Sequence, residues 1–191
     1  MKYVGKVLKN RKQIDGQRKK IVIVVSQRNF CDEEYHTSRS IFKSLGIKCC
    51  VALSELSTAV GMEGSTVTPD LMLREIKMND YEGICFIGGV GCIQYWHDKE
   101  VHHLAVGASR TGLLLGAICL APVILANAGL LKGKRVTGYP SAKTYLKKKG
   151  AIYSGSMVEA DSNIVTAKDP EAAKTFALKI GEILMQRTMI P

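Results

Sequence analysis

The stretch "LLLGAICLAPVILANAGLL", residues 113–131, decides the fold class of this 191-residue chain. It is almost as long as the roughly 20 apolar residues that a transmembrane helix needs. Pro122 and Asn127 near its middle, together with two glycines, argue against a membrane span. The first half is strand-like and the second half is helix-like, as expected for a central strand that runs into a packed helix. We therefore predict a buried strand over 112–119 and a helix through Ala128 that Gly129 ends.

The rest of the chain alternates apolar runs with segments of helical periodicity. Strands are predicted at 21–26, 47–53, 83–89, 134–140, 157–160 and 164–167, and a hairpin within 57–69 around Gly61–Gly64. Helices are predicted at 32–45 with Asp32 as a cap, at 71–77, within 97–109 with Asp98 as N-cap, at 141–149 with Ser141 as cap, and from Asp169 onwards. This alternation predicts one α/β domain, with a parallel sheet covered by helices on both faces.

The net charge of +10 is concentrated at the N-terminus. Residues 1–20 contain eight Lys or Arg and a single acid, Asp15. We predict a basic N-terminal extension at 1–19, followed by a single domain at 20–191. No pattern of aromatic stacking residues accompanies the charge, so nucleic acid is not an expected partner. Binding of an acidic partner by the extension remains an alternative.

The expected compartment is the cytoplasm, because residues 1–20 contain no apolar segment typical of a signal peptide. The six cysteines form no CxxC pair and show no metal-ligand spacing with the four histidines. Reduced thiols, no metal, no cofactor and no membrane association are therefore expected.

Cys119 lies in the arrangement Ala117-Ile118-Cys119-Leu120-Ala121, in which a small residue lies two positions before the cysteine and another two positions after it. This spacing is typical of a nucleophile elbow, a strained turn between a strand and a helix. A helix that begins at Pro122 would favour the thiolate. The alternative is a cysteine that only fills the core.

Glu34 shares one helical face with Ile41 and Leu45, which predicts that this carboxyl points inward. Burial would raise its pKa and equip it to donate a hydrogen bond to a thiolate or to move a proton. The alternative is an ordinary first-turn acid that stabilises the helix dipole.

Three further features are expected at the same edge of the sheet, because sites form at the carboxyl ends of parallel strands. Gly88 and Gly89 end a predicted strand, and their N–H groups could bind an oxyanion. The alternative is that the two glycines only form a turn. Cys31 and Cys92 are either resolving thiols for an oxidised Cys119 or small filling residues. The four histidines, at 36, 97, 102 and 103, are expected to be solvated on helices.

Residues 20–185 resemble the ThiJ/PfpI superfamily. The resemblance is carried by "NFCDEE" (29–34), "DYEGICFIGG" (80–89), "GAICLAPVILANAGLLKGKRVTGYP" (116–140) and "TAKDPEAAKTFA" (166–177). It implies a flavodoxin-like three-layer α/β/α sandwich with a mainly parallel sheet, assembled as a homodimer or a higher homo-oligomer. It also implies that Cys119 is the nucleophile or redox thiol and that Glu34 is the acid that contacts it.

The resemblance places the oxyanion-binding backbone on Gly88 and Gly89, with the N–H of Leu120 after the nucleophile as a further donor. Two departures from the family pattern matter. Family proteases have a His where this chain has Leu120, and other members have a His in the segment that matches "VTGYP", where this chain has Tyr139. The Tyr139 hydroxyl can support the site as a donor, but peptidase activity is not expected.

Two functions remain open from the sequence. One is a glyoxalase- or deglycase-like enzyme that acts on small reactive carbonyls through Cys119 with Glu34. The other is a non-catalytic redox-sensing or stress-protective protein in which an oxidant modifies Cys119.

Overall fold

Seven strands form the central sheet of the computed structural model, which describes residues 19–187. The predicted extension at 1–19 lies outside the described residues except for Lys19, whose ammonium donates a hydrogen bond to the Leu184 carbonyl. The strand order is β11-β12-β8-β7-β1-β3-β6, and every pair is parallel except β11 with β12. The strands are β1 Lys20–Val24, β3 Lys48–Leu53, β6 Leu71–Met72, β7 Gly83–Phe86, β8 Leu114–Ile118, β11 Val158–Asp161 and β12 Ile164–Ala167.

Helices cover both faces of this sheet. The helices are α1 Asp32–Ser44, α2 Lys99–Arg110, α3 Pro122–Asn127, α4 Lys143–Lys148 and α5 Ala173–Arg187. Helices α1 and α5 pack on one face, where Phe42 and Phe176 are fully buried, and α2, α3 and α4 pack on the other, where Val101 and Leu146 are fully buried. The predicted three-layer α/β/α sandwich is confirmed.

Residues 113–131 form a strand and a short helix, as predicted. Every residue of β8 is buried, because its two neighbours are strands and helices cover both of its faces. Among the described residues, no helix is long and apolar enough to cross a membrane.

Four local predictions were wrong. Residues 71–77 form β6 at the edge of the sheet and then a 3₁₀ turn, Leu73–Glu75. The strand forms because Leu71 and Met72 pair with Ala52 and Leu53 of β3, on the side of β3 away from β1. Within 134–140, only β9, Arg135–Val136, is a strand, and it pairs with β10, Ile152–Tyr153, outside the main sheet.

The third error concerns the cap at Ser141. This residue lies within a 3₁₀ turn that Pro140 begins, and Ala142 precedes α4 without any side-chain cap. The predicted cap at Asp98 is confirmed, because its carboxylate accepts hydrogen bonds from the N–H groups of Glu100 and Val101 at 2.8 and 3.2 Å.

A small three-stranded sheet flanks the N-terminus of α1. It contains β2 Arg28–Phe30, β4 Ala59–Gly61 and β5 Thr66–Val67, and the last two form the predicted hairpin.

The prediction that Asp32 caps α1 was wrong, because Cys31 occupies the cap position. The buried Asp32 carboxylate accepts hydrogen bonds from the N–H groups of Glu63 and Ser65, at 2.8 and 3.0 Å, and from the Ser65 hydroxyl. It therefore ties the hairpin to the start of α1.

Replacement of Asp32 by Ala should lower the free energy of unfolding at pH 7 by about 1–3 kcal/mol, because it removes the buried acceptor of the Glu63 and Ser65 N–H groups. Burial opposes ionisation, but the hydrogen bonds from Ser65 and Glu63 outweigh it and lower the pKa of Asp32. This stabilisation is present above the ordinary Asp pKa of about 3.9 and is lost as the pH falls below it. Urea unfolding at several pH values measures the effect. The exposed neighbour Glu33→Ala is the control, and an equal loss in both variants would contradict the role of Asp32.

Candidate active site around Cys119

Cys119 occupies the turn between β8 and α3, and its backbone φ is +62°. A positive φ is uncommon for a residue with a side chain and must be held by its surroundings. Here the Cys119 N–H donates to the Ala167 carbonyl at 3.0 Å, and the Cys119 carbonyl accepts from the Tyr139 N–H at 2.7 Å. These bonds to two neighbouring segments confirm the predicted elbow. The thiol residue is 7% exposed.

Glu34 lies in the first turn of α1 and is fully buried, as its helical face predicts. One carboxylate oxygen, Oε2, accepts a hydrogen bond from the Gly88 N–H at 2.8 Å, and the thiols of Cys119 and Cys31 adjoin the carboxyl. The other oxygen, Oε1, has no partner of good geometry among the described residues. Burial, without an ion pair to any described basic residue, raises the pKa of Glu34 to about 7.

The Gly88-Gly89 pair brings the end of β7 against both groups. A Cβ atom at Gly88 would lie 2.6 Å from Cβ of Cys119 and 2.9 Å from Oε2 of Glu34, so only glycine fits there without displacement. The Gly88 N–H is occupied by Glu34, and the Gly89 N–H donates to the Cys119 sulfur. The prediction that Gly88 supplies a free oxyanion donor was therefore wrong, since the pair instead positions the acid and the thiol.

Leu120 offers the donor that the glycines do not. Its N–H finds no acceptor within residues 19–187, while its carbonyl accepts from the Trp96 indole N–H at 3.3 Å and from the Val123 N–H at 3.3 Å. An unoccupied N–H directly after the nucleophile is the usual oxyanion donor of an elbow. The backbone of Leu120 therefore fits the predicted oxyanion position.

The expected lowering of the Cys119 pKa is not found. Burial and the negative charge of Glu34 raise the pKa of this thiol, and the hydrogen bond from Gly89 opposes them only in part. Helix α3 has only six residues and therefore carries a small dipole. The Cys119 thiol therefore keeps its proton near neutral pH, and nucleophilic attack by its sulfur requires a base that removes this proton.

Both candidate resolving cysteines lie beside this pair. Cys31 precedes α1, donates its N–H to the Gly88 carbonyl at 3.1 Å and contacts Glu34 with its thiol. Cys92 is fully buried and lies close enough to Cys119 for their charges to interact. Burial, together with the charge of Glu34, raises the pKa of each to about 12. The structure thus brings both cysteines to the other predicted site residues, which are Glu34, Gly88, Gly89, Cys119 and Leu120.

Tyr139 contacts Cys119 through its main chain, while the residue as a whole is 42% exposed.

The histidines form their contacts away from the Cys119 thiol. His36 pairs with the Ser65 hydroxyl at 3.1 Å, and His102 is half-buried against the Trp96 carbonyl at 2.9 Å. His97 and His103 are exposed, and His97 precedes α2 instead of lying within it.

Trp96 is a site residue that the sequence patterns missed. Besides its bond to Leu120, its carbonyl accepts from the Asn127 amide at 2.6 Å, and its ring stacks on Tyr145 with centroids 6.0 Å apart. The available signal was its position soon after the double glycine, as the single tryptophan of the chain.

Replacement of Glu34 by Gln should make Cys119 ionise at lower pH, because it removes the negative charge that raises the pKa of the thiol. Alkylation of Cys119 by iodoacetamide at a fixed pH between 8 and 10 should become roughly tenfold faster, because the thiolate is the reacting form. Peptide mass mapping separates Cys119 from the other five cysteines. Glu33→Gln, on the exposed side of the same turn, should leave the rate unchanged. A slower or unaltered reaction in Glu34→Gln would contradict the coupling.

Comparison with known proteins places this geometry in a family. Residues 19–183 match the DJ-1/PfpI family. An uncharacterized protein of Methanocaldococcus jannaschii is 35% identical over 90% of this chain and 85% of its own length. A glutathione-independent glyoxalase of Caenorhabditis elegans is 30% identical over 73% of this chain and 74% of its own length. The crystal structure of a ThiJ/PfpI domain protein from Brachyspira murdochii is 32% identical and superimposes with a TM-score of 0.87, covering 90% of this chain and 99% of that one.

The names of other relatives differ in activity. A protein of Pyrococcus abyssi that is 27% identical is named a deglycase, and one of Bacillus subtilis that is 28% identical is named a putative cysteine protease. The match over most of the chain, the sandwich and the cysteine elbow agree: this chain belongs to the DJ-1/PfpI family.

Proposed function

We propose that this protein converts small 2-oxoaldehydes such as methylglyoxal into 2-hydroxy acids, with Cys119 as nucleophile and Glu34 as the proton-transfer group. The observation that carries the proposal is the buried Glu34 carboxyl beside the thiol, with its pKa raised to about 7. A general base works best when its pKa is near the working pH. Relatives named glyoxalase and deglycase support this substrate class.

In the first step, the Glu34 carboxylate takes the proton of the Cys119 thiol while the sulfur adds to the aldehyde carbon. The carbonyl π bond breaks, and its electron pair moves to the oxygen. The unoccupied N–H of Leu120 is positioned after the nucleophile to stabilise this negative charge. Protonation of the oxygen completes a hemithioacetal.

In the second step, Glu34 carries the proton on the former aldehyde carbon to the neighbouring keto carbon, while the hydroxyl proton of the first carbon passes to the keto oxygen. The first carbon becomes a thioester of Cys119 and the second a secondary alcohol, so the oxidation of one carbon balances the reduction of the other. Water then cleaves the thioester, which releases the 2-hydroxy acid and regenerates the thiol. No external oxidant or metal is needed.

The size of the proposed substrate agrees with the exposure of the nucleophile. Cys119 is 7% exposed, which suits a compact aldehyde better than a polypeptide segment. Leu120 and Tyr139 occupy the positions where family proteases and other members carry histidines. Both observations favour carbonyl chemistry over peptide hydrolysis.

Purified full-length protein should convert methylglyoxal to lactate, and Cys119→Ala should abolish the conversion. Glu34→Gln should lower kcat/KM by roughly 10²–10⁴, the usual contribution of a general base, even though it eases alkylation of the thiol. In the wild type, kcat/KM should rise as the pH increases through about 7, because the base must be deprotonated. Lactate formation measured between pH 5 and 9 tests all three expectations.

The exposed neighbour Glu33→Gln is the control and should retain full activity. Lactate formation that is no faster with the wild type than with Cys119→Ala would overturn the enzymatic proposal.

The second candidate is redox sensing at Cys119, which the proximity of Cys92 favours. A peroxide would transfer one oxygen to the Cys119 sulfur and leave as water, after which the Cys92 thiol could form a disulfide with loss of a second water. Absence of lactate, combined with preferential oxidation of Cys119 by dilute peroxide in mass spectra, would select this candidate over the enzyme.

A further inference from the structure

A basic cavity of about 580 Å³ lies at the end of the sheet opposite Cys119. It is formed where β1 and β3 begin and α1 ends, whereas Cys119 follows the carboxyl end of β8. We call it the basic cavity; it is lined by Lys20, Arg39, Lys43, Gly46, Ile47, Lys48, Cys49 and Cys50. Its volume is within the range of sites that hold a small organic ligand.

The basic cavity has an uncompensated positive charge. Within residues 19–187, none of its four basic side chains forms an ion pair. The nearby carboxylate of Asp70 is engaged by the N–H of Val51 at 2.7 Å. Four cations around one concave surface attract and retain anionic ligands.

Two adjacent thiols line the same cavity. Cys49 and Cys50 are both partly exposed, and because they are consecutive in β3 they point to opposite faces of the sheet. The Lys20 ammonium lies close enough to Cys50 for their charges to interact, and it is 4.7 Å from the centroid of the Tyr81 ring.

A lysine ammonium beside a cysteine stabilises the thiolate that attacks a disulfide. Burial opposes the charge of Lys20, but the interactions with Cys50 and Tyr81 outweigh burial and raise the pKa of Lys20. Cys49 differs, since burial raises the pKa of its thiol to about 12 and the charge of Arg39 opposes this only in part. Of the two thiols that line the cavity, Cys50 is therefore the one that adjoins a lysine ammonium.

We propose that the basic cavity binds an anionic low-molecular-weight disulfide and that Cys50 forms a mixed disulfide with it. The expected ligand is a disulfide whose two halves carry carboxylates or phosphates, because these groups can bind to the four cations. The site is independent of the proposed function, because it uses neither Cys119 nor Glu34.

The reaction is a thiol–disulfide exchange. The Cys50 thiolate attacks one sulfur of the bound disulfide, a new bond forms between the two sulfurs, and the old disulfide bond breaks. The departing half leaves as a thiolate and takes up a proton. Cys50 is oxidised and the departing thiol is reduced, so no other oxidant is required.

Three disulfides of different charge test the proposal on the full-length protein: glutathione disulfide with carboxylates, coenzyme A disulfide with phosphates, and cystamine with two positive charges. We expect Cys50 to react with at least one of the anionic disulfides about tenfold or more faster than with cystamine. The faster of the two identifies the anionic group that the cavity prefers. The preference should disappear in 1 M salt, which screens the charges. Intact mass followed by peptide mapping measures the rate at each cysteine.

Matched variants separate the cavity from the overall charge. Arg39→Gln/Lys43→Gln, on the exposed surface of α1, should remove most of the preference. Lys147→Gln/Lys148→Gln, on the exposed surface of α4, lowers the net charge equally and should retain it. Cys50→Ser should lose the adduct, and Cys119→Ala should keep it. Equal rates with cystamine and both anionic disulfides, or an adduct formed at Cys49 instead of Cys50, would overturn the proposal.

Discussion

One buried hydrogen bond, from the Gly88 N–H to Oε2 of Glu34, joins the parts of the chain on which the site depends. It connects the end of β7 to the first turn of α1, and the absence of a Cβ at Gly88 lets the Cys119 elbow approach both. The N–H also satisfies one oxygen of a carboxyl that is fully removed from water. Acid, thiol and glycine are therefore parts of one constraint, since a side chain at Gly88 would collide with both Cys119 and Glu34.

This constraint determines how protons are distributed. An ionised carboxylate without a basic partner is costly when buried, so Glu34 titrates near neutral pH, and its charge then opposes ionisation of Cys119. The thiol is not a permanently activated nucleophile in this arrangement. It has an adjacent base that is half protonated near pH 7, which suits chemistry in which one proton must be removed and later returned.

The layers and most of the site could be predicted from the sequence because they follow from local patterns. Fully apolar runs such as 113–118 indicate strands that are buried on both faces, and the shared face of Glu34 and Ile41 indicates an inward carboxyl. The errors arose where contacts distant in sequence decide the outcome. Asp32 has the spacing of a helix cap, but its oxygens bind the hairpin more than 30 residues away. The Gly88 N–H was expected to be free because nothing in the local sequence shows that Glu34 reaches it.

The same limit explains the thiol and Trp96. A helix after a cysteine predicts a stabilised thiolate, but the short length of α3 and the depth of the sulfur are properties of the assembled fold. Trp96 reaches the site because the segment after Gly89 folds over Leu120. The basic cavity likewise combines residues from β1, α1 and β3, which are separated in sequence but meet where these elements begin or end. In each case the sequence shows which residue types are present, but it does not show which residues they contact in the fold.

The chemistry of the site depends on Glu34 being a buried carboxyl that titrates near neutral pH beside Cys119. Carbon-13 NMR of protein labelled at the glutamate carboxyl carbon measures this titration, with the Glu34 resonance assigned by its loss in Glu34→Gln. The Glu34 resonance should titrate with a midpoint of about 7, well above the ordinary glutamate value of about 4.3. A midpoint at or below that ordinary value would show that burial beside Cys119 does not raise the pKa of Glu34.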